Sequence, residues 1–119
     1  MEKLRVYLET SMFNYYYDKE RDGHSATVRM FEAIGSGKFY GFTSEFVNTE
    51  LEKAPEPQKS NMLSLVEKYN FAILKPDEET LNLANIYINE LVIPIKYYFD
   101  ALHIASATVH HIDCLLANF

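Results

Sequence analysis

The sequence has one cysteine, Cys114, among its 119 residues. A single thiol cannot form an internal disulfide bond, and its position in an apolar run predicts a buried, unreactive side chain. No run approaches the roughly 18 apolar residues of a membrane span, and residues 1–10 lack the apolar region of a signal peptide. These absences predict a protein of the reducing cytoplasm that has no membrane partner.

Basic residues are also few, because 11 Lys and Arg stand against 17 Asp and Glu, for a net charge of -6. This balance excludes a basic surface that binds nucleic acid by phosphate neutralisation alone. A phosphate substrate would need bound cations to overcome the local repulsion. With 48% hydrophobic residues, the chain fits one domain, 1–119, with a single core.

Short apolar segments alternate with helical patterns along the chain. Strands are predicted at 4–8, 39–43, 71–74 and 112–116, and helices at 12–17, 25–34, 45–54, 59–68, 77–90 and from 100 onwards. The third strand is predicted to be buried. In the helix after Pro76, Leu81, Ala84, Ile88 and Leu91 are predicted to face inward. Strands separated by helices indicate an α/β fold with a mainly parallel sheet of four to five strands and helices on its faces.

The run YYFDALHIASA, residues 97–107, places one carboxylate, Asp100, in the first turn of an otherwise apolar helix. Leu102, Ile104 and Val109 supply apolar surface on several sides, which predicts a buried helix. An ionised carboxylate removed from water is unfavourable unless a cation, a helix N-terminus or hydrogen-bond donors compensate it. Two interpretations of Asp100 stay open here, a helix cap and a metal ligand.

Oxygen-bearing side chains recur where the predicted strands end. Glu9 follows the first strand, Glu50 shares the apolar face of the helix after the second strand with Val47, Asp100 begins a late helix, and Asn118 follows the last strand. In open α/β sheets, ligands bind outside the carboxyl ends of the strands. Carboxylates without a cysteine or histidine cage suit Mg²⁺ or Mn²⁺ better than Zn²⁺. The sequence therefore predicts a cleft where such an ion binds.

Three motifs give the chain a resemblance to a known family. They are VYLETS at residues 6–11, the S-x-x-V-x-x-E pattern of Ser44, Val47 and Glu50, and DALHIASA at residues 100–107. Together they resemble the PIN-domain nucleases, which include the ribonuclease toxins of bacterial and archaeal toxin–antitoxin pairs. The DALHIASA run, followed some ten residues later by a D-x-L-L strand, is the specific part. The resemblance covers nearly the whole chain.

The resemblance implies a three-layer α/β/α fold and Mg²⁺- or Mn²⁺-dependent cleavage of RNA phosphodiester bonds. It assigns Glu9, Glu50 and Asp100 as catalytic metal ligands, with Asn118 where many members carry a fourth acid. It also implies a toxin that a cognate antitoxin restrains and that forms a homodimer. Two departures are visible: Glu9 is one methylene longer than the usual aspartate, and the family's last helix and strand do not follow Phe119.

Three residues are candidates for supporting roles. His103 either contacts substrate or is a hydrogen-bonded core residue, and the second interpretation is favoured. Thr10 and Ser11 either hydrogen-bond a metal-bound water or cap the next helix, and capping is the simpler role. The tyrosines at 15, 16, 17, 97 and 98 either stack on RNA bases or belong to the core or a partner surface.

Two other functions compete with an active nuclease. One is an inactive or truncated PIN-like domain that binds RNA or protein without cutting. The other is a phosphoacceptor signalling domain, which needs an aspartate at the end of its middle strand and a lysine after a late one. Here Leu74 is followed by Lys75 and Pro76, so the signalling function is the least favoured.

Overall fold

The computed structural model describes residues 3–90 and 93–117. The strands are β1 (Arg5–Leu8), β2 (Tyr40–Ser44), β3 (Ala72–Leu74) and β4 (Cys114–Leu116). The helices are α1 (Thr10–Tyr17), α2 (His24–Gly35), α3 (Glu45–Leu51), α4 (Gln58–Lys68), α5 (Glu78–Glu90) and α6 (Tyr98–Val109), with a 3₁₀ turn at Ile95–Tyr97. Element order agrees with the order predicted from the sequence.

The four strands form one parallel sheet with the order β3-β2-β1-β4. Strand β1 is central, since Val6 pairs with Gly41 of β2 on one side and with Cys114 of β4 on the other. Parallel neighbours need crossover connections, which the helices provide. The sequence prediction of a parallel sheet of four to five strands, in a three-layer α/β/α fold, is confirmed.

Two apolar clusters hold the helices in place. The larger joins β1 to helices α1, α2, α3 and α4, and its centre is aromatic. Phe13 packs on Phe31 and Phe71 with ring centroids 5.3 and 5.6 Å apart. The smaller cluster lies between α5 and α6, where Ala84, Ala101 and Ala105 are buried. Small side chains at this contact let the two helix backbones approach closely.

Two predictions of burial were wrong, and both concern residues at a sheet edge. Strand β3 was predicted to be buried, but Ala72 and Ile73 are exposed, because β3 pairs only with β2 in the part of the chain the structure describes. Cys114 was predicted to be buried and is exposed on β4. A short apolar run has the same appearance in a central strand and in an edge strand, so the pattern alone does not separate them.

The buried face of helix α5 is shifted from the one predicted. Ala84 is buried as expected and Ile88 packs against the smaller cluster, but Leu81 is exposed and Thr80 is fully buried. The Asp77 carboxylate accepts a hydrogen bond from the Thr80 backbone N–H at 2.7 Å, which holds Thr80 at the start of the helix. Leu91, also predicted to face inward, lies outside the described residues.

Within 3–90 and 93–117, every helix is too short or too polar to cross a bilayer.

Candidate active site

Glu9 leaves the sheet directly after β1 and caps helix α1. Its Oε1 accepts hydrogen bonds from the Ser11 backbone N–H at 2.6 Å and from the Ser11 hydroxyl. Its own backbone N–H donates to the Leu116 carbonyl at 3.1 Å. The prediction that Thr10 and Ser11 cap the helix was wrong, because the longer side chain of Glu9 reaches around to the first turn and takes the cap position.

Glu50 lies on α3, whose start was correctly predicted at the Ser44 cap. The Ser44 hydroxyl accepts a hydrogen bond from the Val47 N–H at 3.3 Å. Val47 and Leu51 are buried, and the Glu50 side chain between them keeps only 27% of its surface exposed. This acid therefore points toward the interior more than an ordinary surface glutamate does.

Thr10 connects the two acids, because it follows Glu9 in sequence and its hydroxyl donates to Glu50 Oε1 at 2.8 Å. Both carboxylates also act electrostatically on the Tyr7 hydroxyl. The structure thus brings Glu9 and Glu50 together beside the carboxyl ends of the adjacent strands β1 and β2. Thr10 serves as a link to Glu50 and not as a cap.

His103 is buried, with 2% of its surface exposed, and both of its ring nitrogens are hydrogen-bonded. Nε2 lies 2.8 Å from Glu50 Oε1 and Nδ1 lies 2.6 Å from the Tyr7 hydroxyl. An ionised carboxylate only accepts hydrogen bonds, so Nε2 carries the proton that is donated to Glu50. The prediction of a hydrogen-bonded core histidine is confirmed, and the residue also contacts a candidate metal ligand.

The charge state of these groups follows from their surroundings. Burial alone disfavours ionised Glu50, but hydrogen bonds from His103 and Thr10 outweigh it, so the pKa of Glu50 lies below its ordinary value. Burial raises the pKa of Tyr7 far above its usual range, and the nearby charges of Glu50 and Glu9 add to this effect. At neutral pH the site therefore contains an ionised Glu50 and a protonated Tyr7.

Asp100 occupies the third position of α6 and is exposed, so the prediction of a buried acid was wrong. The helix buries Ala101 and Ala105 against α5 but leaves Ile104 exposed, so one of its sides faces solvent. Asp100 is not the cap either, because Tyr97 holds that position without a side-chain hydrogen bond. The acid instead lies in the first turn, where its negative charge interacts favourably with the N-terminal end of the helix dipole.

Asp100 lies on the same helix as His103, three residues before it, a spacing that makes neighbours on a helix surface. Lys53, which follows the end of α3, places its ammonium 5.3 Å from the ring centroid of Phe99, the residue before Asp100. The same lysine also acts electrostatically on Glu50. One cation therefore contacts the first turn of α6 and influences the α3 acid.

In the described part of the chain, no three His, Cys, Asp or Glu side chains lie close enough together to hold one metal ion. Oε2 of Glu9 and Oε2 of Glu50 make no hydrogen bond there, so two hard oxygen donors stay open. Mg²⁺ is commonly bound by one or two carboxylates together with waters and substrate phosphates. The chemistry of this donor set fits Mg²⁺ or Mn²⁺. Asn118 lies outside the described residues.

Sequence reasoning missed Tyr7 and gave Ser44 only a capping role. Tyr7 is fully buried, and its hydroxyl lies 2.7 Å from Ser44 Oγ as well as 2.6 Å from His103. A signal was present in the sequence, since a tyrosine inside the short apolar strand at 4–8 needs a partner for its hydroxyl when it is buried. The identity of that partner depends on contacts between distant residues.

The parallel sheet and the helices that flank it form a three-layer α/β/α PIN-like fold. The crystal structure of Mycobacterium tuberculosis VapC20, described as a sarcin–ricin loop cleaving toxin, has a similar fold, with a TM-score of 0.68 and 14% sequence identity. The similarity covers 96% of this chain and 89% of that chain. No protein-family model and no curated protein sequence matches this chain significantly.

Proposed function

We propose that the chain is a Mg²⁺- or Mn²⁺-dependent ribonuclease and the toxin component of a toxin–antitoxin pair. One observation carries the proposal: Glu9 and Glu50 follow adjacent parallel strands, are linked through Thr10, and each have a carboxylate oxygen with no hydrogen-bond partner among residues 3–90 and 93–117. Asp100, exposed in the first turn of α6, is the third acid of the proposed set. The fold shared with an RNA-cleaving toxin supports the same conclusion.

In this function Glu9 and Glu50 would hold the ion, while their Oε1 atoms stay bound to Ser11, Thr10 and His103. When bound, the ion would supply a nucleophilic water near neutral pH and offset the charge of the scissile phosphate. Asp100 adds a further oxygen donor from α6. Asn118 completes the proposed set of metal ligands.

Lys53 is placed to bind a phosphate of the RNA backbone. Its ammonium group lies over the face of the Phe99 ring at the start of α6 and acts electrostatically on Glu50. The chain carries a net charge of -6, so a cation at the site reduces the repulsion that a polyanion meets.

The test incubates purified protein with a stem-loop RNA and with an unstructured RNA, in Mn²⁺ or in chelator. Wild-type protein is expected to cut in Mn²⁺ only, and Glu9→Gln, Glu50→Gln and Asp100→Asn are expected to lose most of the cleavage. Glu52→Gln, an exposed acid at the end of α3, is the matched control and keeps full activity. Cleavage that persists in chelator, or that survives all three substitutions, contradicts the proposal.

Metal binding provides a second readout that needs no RNA. A ligand present at about 100 times its Kd stabilises the folded state by about 2.7 kcal/mol. Mn²⁺ is therefore expected to raise the melting temperature of wild type and of Glu52→Gln but not of Glu50→Gln. An equal rise in all three proteins would place the ion away from Glu50.

The proposed partners are an antitoxin protein and a second copy of the chain, and the proposed location is the cytoplasm. The DALHIASA run and the fold neighbour, itself a toxin, support this assignment. Co-expression with the protein of the adjacent gene, followed by light scattering, tests both partners. A complex that forms and suppresses cleavage is the expected result, whereas a monomer that no adjacent-gene product binds contradicts it.

A binding module that does not cut is the second candidate. The observation that favours it is the lack of a three-donor group among residues 3–90 and 93–117. This candidate predicts RNA retention with no cleavage in Mn²⁺ and no change in melting temperature. The same assays therefore separate the two functions.

A further inference from the structure

We infer that Tyr7 and His103 are positioning residues that aim the Glu50 carboxylate, an inference that rests on the proposed function of this site. A chain of hydrogen bonds runs from Ser44 through Tyr7 and His103 to Glu50. Its three links measure 2.7, 2.6 and 2.8 Å. These hydrogen bonds join β2, β1, α6 and α3, so residues from four separate elements take part in them.

The donors and acceptors along this chain have a definite direction. Glu50 only accepts, so His103 donates from Nε2 and accepts at Nδ1 from the Tyr7 hydroxyl. The Tyr7 oxygen then accepts from the hydroxyl of Ser44, which itself accepts from the Val47 N–H. In this arrangement each buried polar atom of the chain has a partner. The imidazole is therefore held in one tautomer and one ring orientation.

Burial makes this series of hydrogen bonds rigid. Tyr7 and Ser44 are fully buried and His103 keeps 2% of its surface exposed, so water does not compete for their hydrogen bonds. The Tyr7 and His103 rings also contact each other with centroids 5.7 Å apart, and Phe46 packs edge-on against the imidazole at 6.5 Å. Packing therefore restrains the ring as well as its two nitrogens.

Fixing one carboxylate oxygen of Glu50 also restricts the position of the other, Oε2. A glutamate side chain has three rotatable bonds, and an unrestrained carboxylate samples many positions. With Oε1 fixed by His103 and Thr10, Oε2 is confined to a narrow range of directions. A functional group works best when it is held within about 0.5 Å of its productive position, and groups that orient a metal ligand have measurable effects on affinity.

The test measures Mn²⁺ affinity by calorimetry in wild type, Tyr7→Phe, His103→Leu, His103→Gln and the Tyr7→Phe/His103→Leu double variant. Tyr16→Phe is the matched control, because its hydroxyl also bonds to another side chain, Tyr69, at 2.6 Å but lies outside this chain of hydrogen bonds. Circular dichroism verifies folding of each protein before titration.

Tyr7→Phe and His103→Leu are expected to weaken Mn²⁺ binding by about tenfold or more, since loss of a group that orients a ligand commonly costs 10- to 100-fold. His103→Gln keeps an amide donor near the position of Nε2 and recovers most of the affinity. The double variant is no weaker than His103→Leu alone, because both residues act through one route. RNA cleavage is expected to fall in kcat with little change in KM.

Opposite results separate two failures. Wild-type protein that binds no Mn²⁺ and cuts no RNA overturns the proposed function and this inference with it. If wild-type protein binds Mn²⁺ and neither Tyr7→Phe nor Tyr16→Phe changes that affinity, the inference is overturned and the proposed function is not. Should Tyr7→Phe fail to fold, the two His103 variants decide the question. Equal Mn²⁺ affinity in His103→Gln and His103→Leu contradicts a positioning role. A clearly higher affinity in His103→Gln supports it.

Discussion

Replacing Tyr7 with phenylalanine is expected to destabilise the fold by an amount that the structure sets. The ring still fills its space, so the change deletes one hydroxyl and two hydrogen bonds, to Ser44 and to His103. Each such bond contributes about 0.5–1.5 kcal/mol, and a buried acceptor left without a partner costs about 1–3 kcal/mol. His103 Nδ1 becomes such an acceptor, and the Ser44 hydroxyl keeps its bond from Val47 but loses the acceptor of its own proton.

These contributions add to a loss of about 2–6 kcal/mol in the free energy of unfolding. A domain in the upper part of the usual range of about 5–15 kcal/mol remains folded after such a loss. In urea, with a slope of about 2 kcal/mol/M, the midpoint is expected to fall by about 1–3 M with the slope unchanged. Tyr16→Phe, which removes a hydroxyl from the partly exposed pair with Tyr69, is expected to cost about 1 kcal/mol or less.

Urea unfolding of the two variants beside wild type, followed by far-UV circular dichroism, measures this difference. Equal midpoints for Tyr7→Phe and Tyr16→Phe would refute the reasoning, because they would mean that the Tyr7 hydroxyl is no more important to stability than a surface one. An altered slope would instead indicate a change in the unfolded or folded ensemble.

Three further predictions concern other parts of the molecule. Gly41→Ala places a methyl group against Ile34 within β2 and is expected to lower the unfolding free energy by about 1–3 kcal/mol in the same urea assay; an unchanged midpoint would contradict this packing. Lys53→Gln is expected to weaken RNA binding severalfold and to reduce the salt dependence by about 0.7 in log–log slope, measured by fluorescence anisotropy from 50 to 200 mM salt. An unchanged slope would remove Lys53 from the RNA contact. Cys114 is expected to react with a thiol reagent in the native protein at nearly the rate of a free thiol, and labelling that requires denaturant would contradict its exposure.

Much of the fold was predictable because local patterns determine it. The Ser44 cap, the acids that begin α5 and the strand-forming residues of β1 each act over a few residues, and the structure has each where the sequence indicated. The inward direction of Glu50 followed from helical spacing alone. These features require no knowledge of distant contacts.

The remaining features depend on which elements become neighbours. Burial of β3 and Cys114 was predicted wrongly because their apolar runs give no information on whether a strand has one neighbour or two. The Tyr7–His103 bond joins residues 96 positions apart, and no local pattern signals it. The capping role of Glu9 was missed because asparagine, aspartate, serine and threonine are the usual caps and glutamate is not among them.

The central place of β1 has a consequence for the order of events during protein synthesis. This strand leaves the ribosome first, yet one of its two partners is β4, more than a hundred residues later, and the Glu9 N–H bonds to Leu116. Pairings of such long range form late in folding. The Glu9 N–H therefore gains this partner only after residue 116 has emerged, so a nascent chain that has reached β2 but not β4 holds the backbone of this acid from one side only.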